Sequence, residues 1–214
     1  MESLILIILG CLLLSPSLSQ EVTVQDTIPS TPLWGGTEQF TVSVNMTNPA
    51  DSSTNPEWRF DYLYDSTNEA ELYQHHAGNG DEVCGNIAKF EVGAECNILN
   101  AADGNTYATN LETGKCCRVL MHLGMVKSDW LRTIEATYNG TATINGYDAD
   151  QWFAEGAYTN NYACTQDDKQ NPVAFWEHKG EKLKRWDFLL ETFVKGEPEQ
   201  QKFEIPDGCS KICE

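Results

Sequence analysis

Apolar and polar residues alternate along several short segments of the chain. Every second residue is apolar in FTVSVNM, residues 40–46, and every second residue is aromatic in WRFDYLY, residues 58–64. Because successive side chains of a β-strand point to opposite faces, this period of two predicts strands with one buried face. Further strands are predicted in 70–76 and 116–121.

Turn signals between these runs predict that neighbouring strands pair in antiparallel hairpins. Asn145-Gly146 stands between two alternating runs, which is the sequence pattern of a tight two-residue hairpin. A Lys179-Gly180 turn separates a strand through Phe175 and Trp176 from the next strand, and NAADGNTYATN predicts another hairpin. We predict a meander-like sheet that curves to bury one face, as a barrel, half-barrel or sandwich.

Helical patterns are rare in this sequence. KSDWLRTIEA, residues 127–136, predicts one short helix capped by Ser128. Repeats, low-complexity tracts and linkers are absent, so one domain is expected.

The first residues, MESLILIILGCLLLSPSLSQ, predict a signal peptide. The run from Leu4 to Leu14 is too short to span a bilayer, and small residues precede a predicted cleavage after Ser19. Two features complicate this assignment: Glu2 without a basic residue in the leader, and Cys11 in an alternative lipidation box. We expect a signal peptide at 1–19 and a single extracellular domain at 20–214 that does not span a membrane.

Two sequons agree with secretion, Asn45-Met46-Thr47 and Asn139-Gly140-Thr141, and both are candidate glycosylation sites. The formal net charge is −18. Such a chain is repelled by nucleic acid and by anionic membrane surfaces, so neither is an expected partner. It would attract cations such as calcium, although the chain lacks an EF-hand spacing.

The mature chain carries seven cysteines, for which the expected use in an oxidising compartment is disulfide bonding. They are Cys84, Cys96, Cys116, Cys117, Cys164, Cys209 and Cys213. Cys116 and Cys117 are adjacent on a predicted strand, so their side chains diverge and we expect two disulfides to different partners. A disulfide between the two, or a metal pair, is the alternative. Seven is odd, so one thiol is free or links two copies of the chain in a homodimer.

Motifs of catalysis or cofactor binding are missing from the chain. It lacks G-x-S-x-G, HExxH, a P-loop and a dinucleotide fingerprint. His75 and His76 would diverge on a strand and do not predict a metal pair. We therefore expect a protein that is not an enzyme and has no cofactor, with calcium as the alternative ligand.

Several short segments together resemble the ependymin-related family. They are TPLWGG, TNLETGKCCRV, NGYDADQW and FEIPDGCSKIC, which are spread over most of the mature chain. That family shares a curved antiparallel sheet with bacterial lipoprotein-carrier proteins of the LolA type. The resemblance implies a mainly β fold, either a curved antiparallel sheet or an unclosed half-barrel with one or two short covering helices.

The resemblance also implies a secreted glycoprotein, often dimeric, with a deep apolar pocket for a lipid. Its disulfides would join Cys116 or Cys117 to Cys209, and Cys84 or Cys96 to Cys213, with a third partner for Cys164. This chain departs from the family by lacking a cysteine before Trp34.

We predict a secreted, disulfide-stabilised glycoprotein that binds a hydrophobic, lipid-like ligand on a curved sheet. Five aromatic residues are predicted to line the pocket: Trp58, Phe60, Tyr62, Trp152 and Trp176. The alternatives are a calcium-associated adhesion protein of the extracellular matrix, a secreted enzyme of unrecognised type and a regulator of a separate protease.

Overall fold

The computed structural model describes residues 28–47, 58–78, 83–120, 124–156, 158–179 and 182–214. The predicted signal peptide lies outside these residues. So do residues 180–181, which connect the two strands expected around the Lys179-Gly180 turn.

The described chain forms one 12-stranded sheet, whose paired strands are antiparallel. The strands are β1 Gln39–Thr47, β2 Trp58–Asp65, β3 Ala70–His75, β4 Cys96–Asn100, β5 Thr106–Asn110, β6 Cys116–Val119, β7 Thr137–Ile144, β8 Tyr147–Glu155, β9 Thr159–Thr165, β10 Pro172–Lys179, β11 Lys182–Phe188 and β12 Val194–Lys195. Their order is β6-β5-β4-β3-β2-β1-β11-β10-β9-β8-β7, with β12 beside β1. Within the described residues the sheet is open, because its outer strands β6 and β7 do not pair. The predicted fold class is confirmed.

One face of the sheet carries a row of large side chains, one from each of seven adjacent strands. In cross-strand register the row runs Trp58, Met46, Trp186, Phe175, Tyr162, Trp152 and Tyr138. All seven belong to the largest apolar cluster or pack against it. This face, called the concave face below, therefore holds the main core. The period-two pattern of β1 and β2 correctly identified it.

Two short α-helices and the irregular segment 124–129 cover the concave face. Helix α1 spans Val83–Ala88 and helix α2 spans Trp130–Thr133. The predicted helix of 127–136 is therefore only one turn long. Its N-cap is Asp129, which makes no side-chain capping bond, and not Ser128, whose carbonyl instead accepts a hydrogen bond from the Trp34 amide.

The Asn145-Gly146 turn is confirmed. It joins β7 to β8, and Asn145 and Gly146 have φ values of 53° and 84°. Positive φ at both central residues matches the twist of an antiparallel hairpin, which explains why Asn and Gly stand there.

Three disulfides form, and Cys116 and Cys117 bond to different partners as predicted from their adjacent positions. The pairs are Cys84–Cys96, Cys116–Cys209 and Cys117–Cys213. The pairing of Cys84 or Cys96 with Cys213 is wrong, because β4 brings Cys96 beside α1, which carries Cys84. Cys164 is a free, buried thiol and not a disulfide partner.

The C-terminal segment from Cys209 to Cys213 is bonded to the outer strand β6 by two disulfides and by backbone hydrogen bonds. Cys116 packs with the cluster that contains Cys209 on the back face of the sheet, whereas Cys117 and Cys213 pack beneath α1. Between them, the Arg118 amide donates to the Lys211 carbonyl at 2.7 Å, and the Cys213 amide donates to the Arg118 carbonyl at 3.0 Å. The adjacent cysteines thus hold the tail on both faces of an edge strand.

Candidate functional site

A cavity of ≈570 Å³ lies between the concave face and its covering segments. Seven adjacent strands, from β4 through β1 to β9, each contribute at least one side chain to its wall. Seven strands laid flat would extend about 29 Å across, at roughly 4.8 Å per spacing. Strands so far apart can share a cavity of this size because the sheet curves around it.

Aromatic rings form much of the cavity wall. Trp186 lies at its centre, with ring centroids 5.4 Å from Phe60 and 5.7 Å from Phe175. Trp34, from the segment before β1, packs edge-on against Phe175 at 5.4 Å. Rings at these distances and steep angles stabilise one another beyond simple burial, so this wall is preformed.

The cover of the cavity is mostly aliphatic. Helix α1 contributes Val83 and Ile87, and the segment leading into α2 contributes Met125 and Val126. Ile134 follows α2, lines the cavity and is 40% exposed, so it marks the mouth.

A buried carboxylate forms one polar part of the wall. Glu71 is 0% exposed, and its Oε2 accepts a hydrogen bond from Tyr62 Oη at 2.6 Å. Its Oε1 accepts from Tyr73 Oη at 2.9 Å and from Asn100 Nδ2 at 2.8 Å. Trp34 Nε1 donates to the same Tyr62 oxygen at 3.1 Å, which ties the carboxylate to the aromatic wall.

Burial dominates the electrostatics of this network. Desolvation raises the pKa of Glu71 above its ordinary value, although hydrogen bonds from the three side chains and from the Val126 backbone oppose this shift. The pKa values of Tyr62 and Tyr73 are raised well above the ordinary value, first by burial and then by the negative charge of Glu71. Both phenols therefore remain protonated donors that hold the carboxylate in place.

A second polar region lies on the opposite side of the aromatic row from Glu71. Glu177 of β10 stands opposite Lys184 of β11 and Asn160 of β9 in cross-strand register, and all three line the cavity. Lys184 is exposed, whereas Asn160 is half-buried. The cavity thus has aromatic walls between two polar regions.

The five predicted pocket residues do not all lie together. Phe60 lines the cavity, whereas Trp58, Tyr62 and Trp152 lie in the core of the same face without being part of its wall. Trp176 is placed on the back face, near the cluster of Ala149, Ala163 and Val173. Its position on the concave face was predicted wrongly, because its neighbour Phe175 takes the inward direction in β10.

Sequence reasoning missed most of the wall. Trp34 precedes the first strand, and the segment containing Met125 and Trp130 has no alternation to mark it. The signal that could have found Trp186 was its position two residues before Phe188 on one strand face.

The predicted glycosylation sites lie in strands. Asn45 is half-buried in β1, and Asn139 is exposed in β7, the outer strand of the sheet. Carbohydrate at either position stays a prediction.

Among the described residues, no group of three or more His, Cys, Asp and Glu is arranged to hold a metal ion. No helix in that same part has the length and apolar character needed to cross a membrane. Calcium binding and the lack of catalysis stay predictions.

Comparison with known proteins identifies the fold. No protein-family model matches the chain, and no curated protein matches it in sequence. An uncharacterized conserved protein from Thermus thermophilus is similar in structure, with a TM-score of 0.51 and 6% identity over 81% of this chain and 88% of that chain. That likeness shows a shared fold.

Two further solved structures show weaker likeness. A LolA superfamily protein from Nitrosomonas europaea has a TM-score of 0.41 and 10% identity, over 78% of this chain and 90% of that chain. A chain of the Pseudomonas aeruginosa MucA/MucB complex has a TM-score of 0.46 and 11% identity, over 81% and 58% respectively. The strand order and the fold shared with the Thermus protein confirm the antiparallel sheet implied by the resemblance, whereas membership of the ependymin-related family stays a prediction.

Proposed function

We propose that this protein binds a hydrophobic, lipid-like ligand in the cavity of the concave face. The observation that carries this proposal is the cavity of ≈570 Å³, walled by aromatic and aliphatic side chains. Its volume falls in the range of about 300–1,000 Å³ that small-molecule sites occupy. An apolar ligand there would leave water and contact the rings of Trp34, Phe60 and Trp186.

The preformed wall favours binding over a purely structural role for these rings. The indole of Trp34 and the phenols of Tyr62 and Tyr73 are held by the network around Glu71. Side chains already fixed lose little conformational entropy when a ligand enters, so more of the burial energy becomes affinity.

We also propose that the protein works outside the cell as a secreted glycoprotein. Three disulfides support this location, because such bonds persist in oxidising compartments. The predicted leader and the exposed sequon at Asn139 agree with it.

Native mass spectrometry of the secreted, deglycosylated protein tests the ligand directly. We expect a bound small molecule that is released when the same sample is denatured. A protein that carries nothing and also fails to bind fluorescent fatty-acid or 1-aminoanthracene probes would refute the proposal.

A pair of matched variants locates the binding site. Ile134 and Ile205 are 40% and 42% exposed, but only Ile134 lines the cavity. We expect Ile134→Trp to slow or weaken probe binding by narrowing the mouth, and Ile205→Trp to leave it unchanged. Equal effects of the two variants would place the probe elsewhere on the surface.

A further inference from the structure

The two edges of the sheet differ in what lies beside them. Two disulfides and the Arg118 backbone hold the C-terminal tail along β6, where Arg118 and Ile212 form a parallel bridge. At the other end of the strand order, β7 pairs with β8 and with no other strand of the described chain. An open strand edge presents backbone N–H and C=O groups that pair readily with another strand, so proteins cover or disrupt such edges.

Side-chain protection is weak on β7. Its sequence, TYNGTATI, contains neither a charged residue nor a proline. Charges and prolines are the residues that most often prevent a strand edge from pairing with a second chain. Two copies of a chain with a net charge of −18 repel each other overall, but two β7 strands would meet with no charge of their own.

A β-bulge interrupts β7 at Asn139 and Gly140. Between Tyr138 and Thr141, β7 has one residue more than β8. Gly140 has a φ of 84°, in the left-handed region that glycine adopts at no steric cost. Residues 141–144 remain regularly paired with β8, so the bulge shortens the open edge without closing it.

Asn139 stands at this bulge and begins the sequon Asn139-Gly140-Thr141. Its side chain is exposed. The other sequon begins at Asn45, which is half-buried in β1 and is flanked in register by Arg59 and Asp187. A glycan on Asn139 would lie at the open edge of the sheet, whereas a glycan on Asn45 would lie over its interior.

We infer that an N-linked glycan on Asn139 covers the open edge and prevents β7 from pairing with β7 of a second copy of this chain. A branched oligosaccharide is wider than the about 4.8 Å between paired strands, so at the bulge it would clash with an incoming strand. This inference rests on the proposed secretion as a glycoprotein and does not depend on the ligand of the cavity.

The modification needs an oligosaccharide donor of the lipid pyrophosphate class. Nδ2 of Asn139 forms a bond to C1 of the first sugar, while the bond from that C1 to the pyrophosphate oxygen breaks. The lipid pyrophosphate leaves with the bonding electrons, the amide nitrogen loses one proton, and nothing is oxidised. Transfer requires Ser or Thr at the third position of the sequon, so substitutions of Thr141 control the glycan while Asn139 stays in place.

Two substitutions of Thr141, in protein secreted from animal cells, test the inference. Thr141→Ala destroys the sequon, whereas Thr141→Ser keeps it. Sedimentation velocity over a concentration series at about 0.15 M salt measures self-association. We expect Thr141→Ala to associate at least about tenfold more tightly than Thr141→Ser and the natural chain. Equal association of the two variants would overturn the inference.

Asn139→Gln also removes the glycan and should associate as Thr141→Ala does, which keeps the test decisive if one variant does not fold. Asn45→Gln removes the other sequon and should leave the association of the natural chain unchanged. Peptide mass spectrometry of the natural chain should find Asn139 glycosylated, and an unmodified Asn139 would also overturn the inference.

A charge placed on the edge locates the contact. Thr143 is exposed and stands opposite Asp148 in β8, so the fold can accept a lysine there. Two paired edges would bring such lysines of two copies close together, and like charges across strands oppose pairing. We expect Thr143→Lys, combined with Thr141→Ala, to restore the behaviour of the natural chain. Association that persists in the double variant would refute β7 as the contact.

The outcomes separate this inference from the proposed function. Residues 139–143 do not line the cavity, so 1-aminoanthracene should bind the natural chain and these variants equally. If no probe binds while Thr141→Ala alone associates, the ligand proposal fails and this inference stands. If Asn139 is glycosylated but Thr141→Ala and Thr141→Ser associate equally, this inference fails and the secreted glycoprotein stands.

Discussion

Tyr62 donates a 2.6 Å hydrogen bond to Oε2 of Glu71 while its own oxygen accepts the Nε1 hydrogen of Trp34 at 3.1 Å. This relay joins the segment before β1 to the buried carboxylate of β3. It places a buried ionisable group in the wall of a largely apolar cavity, so the stability of the fold should depend on pH.

The stability of the protein should fall as pH rises through the titration of Glu71. Burial raises the pKa of Glu71 in the folded state above its ordinary value of 4.5. The folded state therefore holds this proton more tightly than the unfolded state. Its contribution is fully present below pH 4.5 and is lost as pH rises through the folded pKa.

Urea unfolding between pH 4 and pH 8 checks this sign. We expect Glu71→Gln to lack this part of the pH dependence, so that the natural chain loses stability relative to the variant as pH rises. Glu112→Gln removes an exposed carboxylate and should follow the natural chain. If the free energy of unfolding changes with pH in the same way for the natural chain and for Glu71→Gln, the prediction is contradicted.

Cys164 should be inert in the folded protein. Its side chain is 0% exposed, and burial is the main reason that its pKa is raised to about 12. At pH 8 we expect no reaction with iodoacetamide in native buffer and one modified thiol after denaturation without reductant. Intact mass measures both. Rapid alkylation of the native protein, or a dimer that reductant splits, would show that the thiol is accessible.

The two disulfides from β6 should act non-additively. Cys116–Cys209 and Cys117–Cys213 close loops of nearly equal length, with separations of 93 and 96 residues. Either one alone supplies most of the loop-closure restriction that the two supply together. We expect removing one pair by Ala substitution to cost a fraction of the about 4–5 kcal/mol lost when both pairs are removed.

Urea unfolding of the two double variants and the quadruple variant measures this difference. If removing either pair alone destabilises the protein as much as removing both, the remaining disulfide contributes nothing by itself, which would contradict the prediction. If the two costs simply add up to the full loss, loop closure is not the dominant mechanism.

Gly36→Ala should be markedly more destabilising than Gly114→Ala. Both glycines have a positive φ, 67° and 68° respectively. A Cβ on Gly36 would stand 2.4 Å from the backbone oxygen of Lys169, whereas a Cβ on Gly114 would meet no atom within 4 Å among the described residues. Gly114→Ala therefore reports the cost of the backbone conformation, about 1 kcal/mol, and the excess at Gly36 reports the clash. Equal melting temperatures of the two variants would exclude the close approach.

The sequence predicted the strands better than it predicted the site. Alternation in β1 and β2 identified the inward face because each strand is buried mainly on one side. In β10 the adjacent Phe175 and Trp176 are both large and aromatic, so local pattern could not choose which one faces inward. That choice depends on Trp34 and Trp130, which contact Phe175 from segments distant in sequence.

The disulfides show the same limit. Adjacent cysteines on a strand necessarily diverge, which is a local fact of backbone geometry, and Cys116 and Cys117 confirm it. Their partners, and the pairing of Cys84 with Cys96, depend on where α1 and the tail come to lie. No local pattern contains that information.

The row from Trp58 to Tyr138 also limits how this cavity could change during evolution. Each of its seven strands presents one residue to the row in register, and the register shifts of β7 and β10 lie beside the row residue. Inserting or deleting one residue within a strand would turn every following side chain to the other face unless a bulge absorbs the change. Relatives that bind different ligands should therefore vary in the row residues that line the cavity, Met46, Phe175 and Trp186, and in the length of the connecting loops, while the lengths of the strands stay constant.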